Sequence, residues 1–211
     1  MTDTSRFDQV ASTWDEDPVR VALAQAVADA IARDVGLAAS MDVLDFGCGT
    51  GLLTLALQPH VRSVTGADTS PGMLAVLEQK VRALGLESVK SCRLDKAGAL
   101  AVAGPFDLVT SSMALHHVQD VDGLFAQLRT VLREGGHVAL ADLDTEDGSF
   151  HPPEVTDAYH RGFDRAELRA RLEAAGFDDV RDTTAFIHNR HGRDYPVFLV
   201  SGRLSDGADA G

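Results

Sequence analysis

A glycine turn and three acidic residues form the part of this sequence best suited to binding chemistry. The stretch VLDFGCGTG places three glycines at alternate positions, from Gly47 to Gly51, directly after an apolar run. Glycine adopts positive φ without strain and lets a ligand approach the backbone where a Cβ would collide. Asp45 precedes the turn, and Asp68 and Asp95 follow two later strand-like stretches. This combination predicts a ligand held by backbone amides and carboxylates.

The spacing of the glycines distinguishes three classes of ligand. A triphosphate-binding loop ends in Gly-Lys-Ser/Thr, whereas Gly51 is followed by two leucines. A dinucleotide-binding turn has the pattern G-x-G-x-x-G, and the pattern here, G-x-G-x-G, is one residue short. A carboxylate at Asp45 would repel a pyrophosphate but accept hydrogen bonds from an ammonium group. The pattern therefore favours a nucleoside that carries an amino acid.

The positions of the acids suggest how such a ligand would be bound. Ligands of open α/β sheets bind at the carboxyl ends of the strands, where all three acids are predicted. Asp68 is placed to receive both ribose hydroxyls, and Asp95 to accept from the exocyclic amine of adenine. The alternative for Asp45 and Asp68 is that they are helix-capping carboxylates with no ligand.

The elements that would position these residues follow from periodicity and turn signals. Asp17 and Pro18 start a helix that closes at Gly36, and Ser70 with Pro71 starts another. Strands are predicted at Asp42–Phe46, Ser63–Asp68, Val89–Leu94, Phe106–Thr110 and His137–Asp142, and further helices at Leu52–Ala56 and Val121–Leu132. Alternation of strands and helices predicts a mostly parallel sheet covered on both faces.

The C-terminal part departs from this alternation. Asp164 and Glu167 form a capping box for a helix that stops at Gly176. Asp179–Ile187 and Tyr195–Arg203 then follow as strand-like segments joined by a polar loop that is too short for a crossover helix. We therefore expect a hairpin whose last strand runs antiparallel to its neighbour.

Length, composition and charge limit the kind of protein. At 211 residues, with 45% hydrophobic residues, the chain predicts one domain with small additions. The formal charge of −13 argues against a nucleic-acid substrate. No apolar run approaches the ~18 residues of a membrane span and Met1–Asp8 is polar, so we expect a cytoplasmic protein. Two cysteines predict neither a disulfide framework nor a zinc site.

At this level of detail the sequence resembles the class I S-adenosylmethionine-dependent methyltransferases, particularly the methyltransferase-11-like small-molecule group. The resemblance runs from Met41 to about Val180. It implies a Rossmann-like three-layer sandwich with a seven-stranded, mostly parallel sheet of order 3-2-1-4-5-7-6 and an antiparallel C-terminal strand. The motifs that carry it are Val43–Gly51, Gly66–Leu74, Arg93–Asp95, Phe106–Val118 and Leu132–Gly136.

The resemblance also implies a cofactor, S-adenosylmethionine, and a set of residues that bind it. Members of the family commonly have an acidic-Leu-Pro-Phe stretch after the third acid, and Lys96–Leu100 lacks it. The role of Asp95 therefore rests on less of the pattern than those of Asp45 and Asp68. The expected cofactor-binding residues are Asp45, Gly47, Cys48, Gly49, Thr50, Gly51, Asp68, Thr69, Met73, Leu94, Asp95, Ser111 and Ser112.

No side chain is assigned a catalytic role. A sulfonium methyl group is already electrophilic, so transfer mainly needs an acceptor held in line and water excluded. His116 and His117 are candidates for a base or a metal pair. Adjacent residues are expected to point to different sides, however, and both histidines are expected to be structural. His151, Tyr159 and His160 lie in the segment where the acceptor usually meets this fold, or else in an exposed loop.

Two other features complete the prediction. Phe7–Asp15 resembles the family's lid, in which Trp14 would cover the cofactor, although packing against the first helix explains Trp14 nearly as well. His188 and His191 are three residues apart without other ligands nearby, so no metal is expected. The predicted parts of the chain are residues 1–36 as lid segment and helix, 37–204 as methyltransferase domain, and 205–211 as a flexible tail.

The predicted function is methyl transfer from S-adenosylmethionine to a small-molecule acceptor by in-line displacement. A protein that binds the cofactor but transfers nothing is one alternative, and a nicotinamide-dependent oxidoreductase, disfavoured by the glycine spacing, is another. Neither the acceptor nor the oligomeric state follows from the sequence.

Overall fold

A single seven-stranded sheet organises the fold. The computed structural model describes residues 5–95, 100, 102–152, 155–190 and 192–205. The strand order is β3-β2-β1-β4-β5-β7-β6, with β1 to β5 parallel and β7 antiparallel to both of its neighbours. The predicted sheet order and the antiparallel hairpin are therefore confirmed. The strands are β1 Asp42–Phe46, β2 Ser63–Asp68, β3 Val89–Arg93, β4 Phe106–Ser112, β5 Leu132–Leu143, β6 Phe177–Arg190 and β7 Arg193–Leu204.

Helices begin where the sequence supplies caps. The side chain of Asp17 accepts a hydrogen bond from Val19 N, that of Ser70 from Met73 N, and that of Asp164 from Glu167 N. These bonds satisfy backbone donors that the first turn of a helix leaves free. The helices of the described part are α1 Ser5–Val10, α2 Pro18–Asp34, α3 Leu52–Leu57, α4 Pro71–Leu84, α5 Val121–Val131 and α6 Arg165–Ala174.

Two apolar layers cover the sheet, one on each face. Successive side chains of a strand point to opposite faces, so Val43 of β1 packs in one layer and Leu44 in the other. The first layer contains α2 and α3, and the second contains α5 and α6. The central strand is thus buried on both sides, which holds its C-terminal end, where Asp45 lies, away from solvent.

Several elements are longer than the sequence indicated. β5 begins at Leu132, not at His137, because a bulge around Gly135, at φ +68°, lets Leu132 pair with Phe106 of β4. The hairpin strands extend into polar residues, since backbone pairing does not require apolar side chains. Residues 206–211 of the expected tail lie outside the described residues, and the division into parts remains a prediction. In the described part, the helices are too short or too polar to cross a bilayer.

Candidate active site

A cavity of about 990 Å³ lies at the carboxyl ends of β1, β2 and β4. Ligand sites typically have roughly 300–1,000 Å³, so this volume is at the upper end of the range. The cavity brings together ten of the thirteen residues expected to bind the cofactor. They are Asp45, Gly47, Cys48, Gly49, Thr50, Asp68, Thr69, Met73, Leu94 and Ser112.

The remaining three residues do not line the cavity. Gly51 starts α3 at φ +84°, and a Cβ there would collide with Leu77, which gives this glycine a packing role. Ser111 is fully buried, and Asp95 is exposed just beyond β3. The geometry lends no support to a cofactor contact at these three positions, whose predicted binding roles stay predictions.

The glycine turn is fixed to β2 by its backbone. Gly47 N and Cys48 N both donate to Ala67 O, at 2.8 and 3.1 Å. Gly47 has φ +69°, and a Cβ there would collide with Ala114. Gly49, at φ +53°, is different, because a Cβ would have only Met73 Sδ nearby, at 4.0 Å. The backbone of Gly49 therefore faces open cavity, as expected of a residue that a ligand approaches closely.

Asp68 joins the glycine turn to α4. Its Oδ2 accepts from Gly49 N and its Oδ1 from Ser70 N, both at 2.8 Å. Burial raises the pKa of this carboxyl, against the effect of the backbone donors. Because each carboxylate oxygen can accept more than one hydrogen bond, Asp68 retains capacity for a ligand in the cavity.

Asp45 is the most isolated charge in the site. It is 1% exposed, and Thr54 Oγ1 donates to its Oδ2 at 2.6 Å. Burial raises its pKa to about 7, and the charge of Asp68 adds to the rise. In the part of the chain that the structure describes, no cation pairs with it. A buried acid of this kind is stabilised in its charged form by a cationic group entering the cavity.

The N-terminal segment, residues 5–16, closes one side of the cavity with Phe7 and Trp14. Asp8 Oδ1 accepts from Ser70 Oγ at 2.5 Å and from Gly72 N at 2.8 Å. Asp15 accepts from Thr50 Oγ1 at 2.5 Å. We call residues 5–16 the lid segment, and its role as a lid stays a prediction.

Two further contacts hold the lid segment in place. Asp15 forms an ion pair with Lys80, whose Nζ also donates to Thr50 O at 2.8 Å. Arg6 pairs with Asp157 at 3.1 Å. The lid segment is thereby tied to the glycine turn, to α4 and to the segment between β5 and α6.

Another end of the cavity is rich in histidine. The ring centroids of His116 and His117 are 4.2 Å apart, and that of His151 is 5.0 Å from His116. The expectation that His116 and His117 point to different sides is wrong, because both line the cavity. The reason is the 3₁₀ turn Leu115–His117, in which neighbouring side chains are not on opposite faces as they are in a strand.

Fixed partners orient two of these rings. His116 Nδ1 lies 2.8 Å from Asp142 Oδ1, and His117 Nδ1 lies 2.8 Å from Asp157 O. Burial raises the pKa of Asp142, but the His116 ring outweighs it and the net pKa is lowered, so this carboxyl is an acceptor. A carbonyl oxygen is likewise an acceptor. Each Nδ1 therefore carries a proton, and in the neutral form of either ring Nε2 has a free lone pair.

Two of these histidines, His117 and His151, are neutral at physiological pH. Burial lowers the pKa of His117 to about 4, and the neighbouring His116 adds to the effect. Burial also lowers the pKa of His151 to about 4, again with a contribution from His116. Uncharged rings in an apolar enclosure are suited to accepting hydrogen bonds or to binding a metal, and not to holding an anion.

The sequence analysis did not identify Asp142 as a residue of this end. It predicts Asp142 only as the last residue of a strand, although an acid near the end of a strand, like Asp45 in β1, is a signal that could have identified it. Tyr159 and His188 line the cavity, whereas His160 Nε2 donates to Val118 O at 2.9 Å. His191, the second half of the expected histidine pair, lies outside the described residues.

Comparison with known proteins decides the family. A family model described as a methyltransferase domain matches residues 19–182, most of the chain. The chain belongs to the methyltransferase-domain family. This membership confirms the predicted class and, with it, S-adenosylmethionine as the cofactor.

An uncharacterized methyltransferase of Schizosaccharomyces pombe is 34% identical over 137 residues, which cover 58% of this chain and 48% of that protein. The methyltransferase domain thus spans about half the length of that relative.

Solved structures agree with the architecture of this methyltransferase domain. A SAM-dependent methyltransferase from Aquifex aeolicus has a TM-score of 0.69 at 20% identity, covering 97% of this chain and 100% of that chain. The cyclase SpnF also has a TM-score of 0.69 at 20% identity, covering 87% and 82% of the two chains. The likeness to both is one of fold, which is shared by proteins with different named activities.

A glycine-to-alanine pair tests the open face of the turn. Gly49→Ala is expected to weaken binding of S-adenosylhomocysteine in calorimetry, because the new methyl group would extend into the cavity. Gly36→Ala is the matched control, since Gly36 has φ +79°, open space around a Cβ and no place in the lining. Both variants should lose about 1–3 kcal/mol of stability from backbone strain. Equal affinity in the two variants would place the ligand away from Gly49.

Proposed function

We propose that this protein transfers a methyl group from S-adenosylmethionine to a small-molecule acceptor by in-line displacement. The observation that carries the proposal is one cavity with two chemically different ends. Asp45 and Asp68 form an acidic end, and His116, His117 and His151 form the other. We call it the neutral end because burial lowers the pKa of His117 and His151 to about 4. A cationic cofactor fits the first end, which leaves the second end to the acceptor.

The acidic end fits the cofactor in detail. Asp45, buried without a cation, would accept from the ammonium group of the methionine moiety. Asp68 would accept from the ribose hydroxyls, while its present bonds keep the glycine turn in place. Met73 and Leu94 are buried beside it and would enclose the adenine ring. The cofactor itself supplies an electrophilic methyl group on a positively charged sulfur.

Positioning is the main task that remains for the chain. Fixing two reactants in line can contribute ~7–11 kcal/mol of the barrier in favourable cases. The lid segment would exclude water from the cofactor side through Phe7 and Trp14. Tyr159 and His151 also line the cavity and would hold the acceptor. No side chain needs to form a covalent intermediate.

The size of the cavity and the charge of the protein support a small, non-nucleic acceptor. At about 990 Å³ the cavity has room for cofactor and acceptor together, within a wall partly formed by the lid segment. The net charge of −13 opposes the approach of a phosphate backbone. We further propose that the protein works in the cytoplasm.

A non-catalytic cofactor-binding protein is the second candidate. The favouring observation is that the cyclase SpnF has the same fold. Such a protein would need only the acidic end of the cavity, because that end alone would bind the cofactor. The difference lies in whether the neutral end presents an acceptor to the methyl group.

An assay with methyl-labelled S-adenosylmethionine tests the proposal. A cell extract is separated by ultrafiltration into small molecules and macromolecules, and each fraction is incubated with the protein. Label is expected in the small-molecule fraction, with equal release of S-adenosylhomocysteine. Label confined to protein or RNA would overturn the substrate class. Binding of the cofactor without transfer to either fraction would favour the non-catalytic candidate.

A further inference from the structure

Three histidines converge at the neutral end of the cavity. One ring nitrogen from each of His116, His117 and His151 lies within 4.8 Å of the other two. Two of these residues come from the turn after β4, and the third from the segment after β5. Convergence of three imidazoles from separate parts of the chain is a geometry common to metal sites and uncommon on a merely packed surface.

Unsatisfied nitrogens give an independent indication of a ligand. His116 Nε2 and His151 Nε2 are buried and find no hydrogen-bond partner among the residues that the structure describes. His116 is only 1% exposed, so bulk water does not replace the missing partner. Leaving a buried polar atom unpaired is unfavourable by about 1–3 kcal/mol, and native structures contain few such atoms. A ligand that accepts electron pairs from both nitrogens would remove the penalty.

The outer contacts of the rings match those of metal-binding histidines. His116 presents Nδ1–H to the buried carboxylate of Asp142, and His117 presents Nδ1–H to the carbonyl of Asp157. Metal-bound histidines nearly always donate their second nitrogen to a carboxylate or carbonyl in this way, which fixes the tautomer and the ring orientation. Both Nε2 lone pairs are therefore available for coordination without a change of tautomer.

We propose that His116, His117 and His151 form a three-nitrogen site for a divalent transition-metal ion of the Zn²⁺ type. Imidazole nitrogens favour such ions over Mg²⁺ or Ca²⁺, which prefer oxygen ligands. Tetrahedral coordination with metal–nitrogen bonds of about 2.0–2.1 Å needs nitrogens about 3.4 Å apart. The longest separation must therefore close by about 1.4 Å, which rotation of the His151 side chain can provide.

The sequence did not predict this site because only neighbouring histidines were considered there. His151 is distant from the His116–His117 pair along the chain, and no local pattern links it to that pair or to His188 and His191. Asp142, which orients His116, lies in a strand that carries no metal-binding pattern of its own.

The remaining coordination position would face the cavity. Three protein ligands and an open fourth position are typical of catalytic metal sites. If methyl transfer is the function, which this step assumes, an acceptor hydroxyl could take that position and release its proton to solvent. Its oxygen would then attack the methyl carbon as the carbon–sulfur bond breaks. This would favour alcohols and phenols as acceptors.

Titration with Co²⁺ tests the site without cofactor or acceptor, so its outcome is separate from that of the methyl-transfer assay. Full-length protein without a histidine tag is titrated while the visible bands of tetrahedral Co²⁺ are recorded, and Zn²⁺ is then added in competition. We expect one ion per chain and displacement by Zn²⁺. Absence of the bands, together with no binding of Zn²⁺ in calorimetry, would overturn the proposal.

Three variants make the titration specific. His151→Ala, in a segment outside the helices and strands, should fold and lose the Co²⁺ bands. Asp142→Asn should weaken metal binding by about 10–100-fold, as loss of an outer partner does. His60→Ala removes an exposed histidine outside the cavity and should bind as the wild type does. Unchanged binding in His151→Ala, with folding checked by circular dichroism, would also overturn the proposal.

Discussion

Replacing Asp68 with alanine is expected to weaken binding of S-adenosylhomocysteine by about 10²–10⁴-fold. The proposed contact is two hydrogen bonds from ribose hydroxyls to a carboxylate, each contributing about 1.5–3 kcal/mol. Every 1.4 kcal/mol corresponds to about tenfold in affinity. The variant also loses the bonds from Gly49 N and Ser70 N, which adds to the effect by loosening the glycine turn. Isothermal calorimetry measures the loss directly.

The matched control for this variant is Asp164→Ala. Asp164 also supplies a side chain to the first turn of a helix, since it accepts from Glu167 N at 2.9 Å, but it does not line the cavity. Loss of a helix cap typically lowers stability by about 1 kcal/mol, so thermal unfolding should show both variants folded. If Asp68→Ala bound the ligand as tightly as Asp164→Ala, Asp68 would be a helix-capping residue and no more.

The affinity for S-adenosylhomocysteine is expected to fall about tenfold for each pH unit below 7. The ligand's ammonium group pairs with ionised Asp45, and the pKa of this carboxyl in the free protein is about 7. Below that value a proton must leave before the cation can pair, so affinity falls as pH falls. At pH 5 the loss should be roughly 100-fold. Calorimetry at pH 5 to 8, in buffers of different ionisation enthalpy, also detects the released proton.

Asp45→Asn is the control that isolates this group, because Asp68 also has a raised pKa. The amide keeps the size of the side chain and cannot titrate. We expect weaker binding than wild type at pH 8 and a much flatter dependence on pH. An equally steep dependence in Asp45→Asn would show that the titrating group is not Asp45.

Although Asp45→Asn should weaken ligand binding, it should raise the stability of the free protein at pH 8. The pKa of Asp45 is raised from its ordinary 3.8 to about 7, so ionisation opposes folding. The free energy of unfolding is therefore highest below pH 3.8, where Asp45 is protonated in both states, and it falls as the pH rises through 7. At pH 8 the loss amounts to about 4 kcal/mol at most. Asp45→Asn should avoid it, and chemical denaturation at pH 5 and 8 compares the two proteins.

Local signals in the sequence account for how the residues of the acidic end come to line one cavity. The turn glycines have positive φ as expected, because glycine is favoured there. Asp17, Ser70 and Asp164 begin helices as expected, because a cap depends on residues only two or three positions away. Parallel strands place their carboxyl ends at one edge. Asp45 and Asp68 therefore come together once the strand order is known.

The neutral end depends on contacts that no local pattern encodes. His116, which follows β4, contacts Asp142 of the neighbouring strand β5. His151 lies beside His116 and comes from a segment without regular structure. Adjacent histidines were expected to diverge, but whether they do depends on the turn that contains them, which the sequence did not specify. The strands β5, β6 and β7 are also longer than predicted, because polar residues at their ends pair through their backbones.

The anchoring of the lid segment implies an order of events while the chain is being made. Residues 5–16 are synthesised before the partners that hold them. Thr50 follows Asp15 by 35 residues, Ser70 follows Asp8 by 62, and Asp157 follows Arg6 by 151. Phe7 and Trp14 thus leave the ribosome before the residues that hold the lid segment in place. Until those residues emerge, Phe7 and Trp14 are open to chaperones, and the cofactor cavity lacks one of its walls.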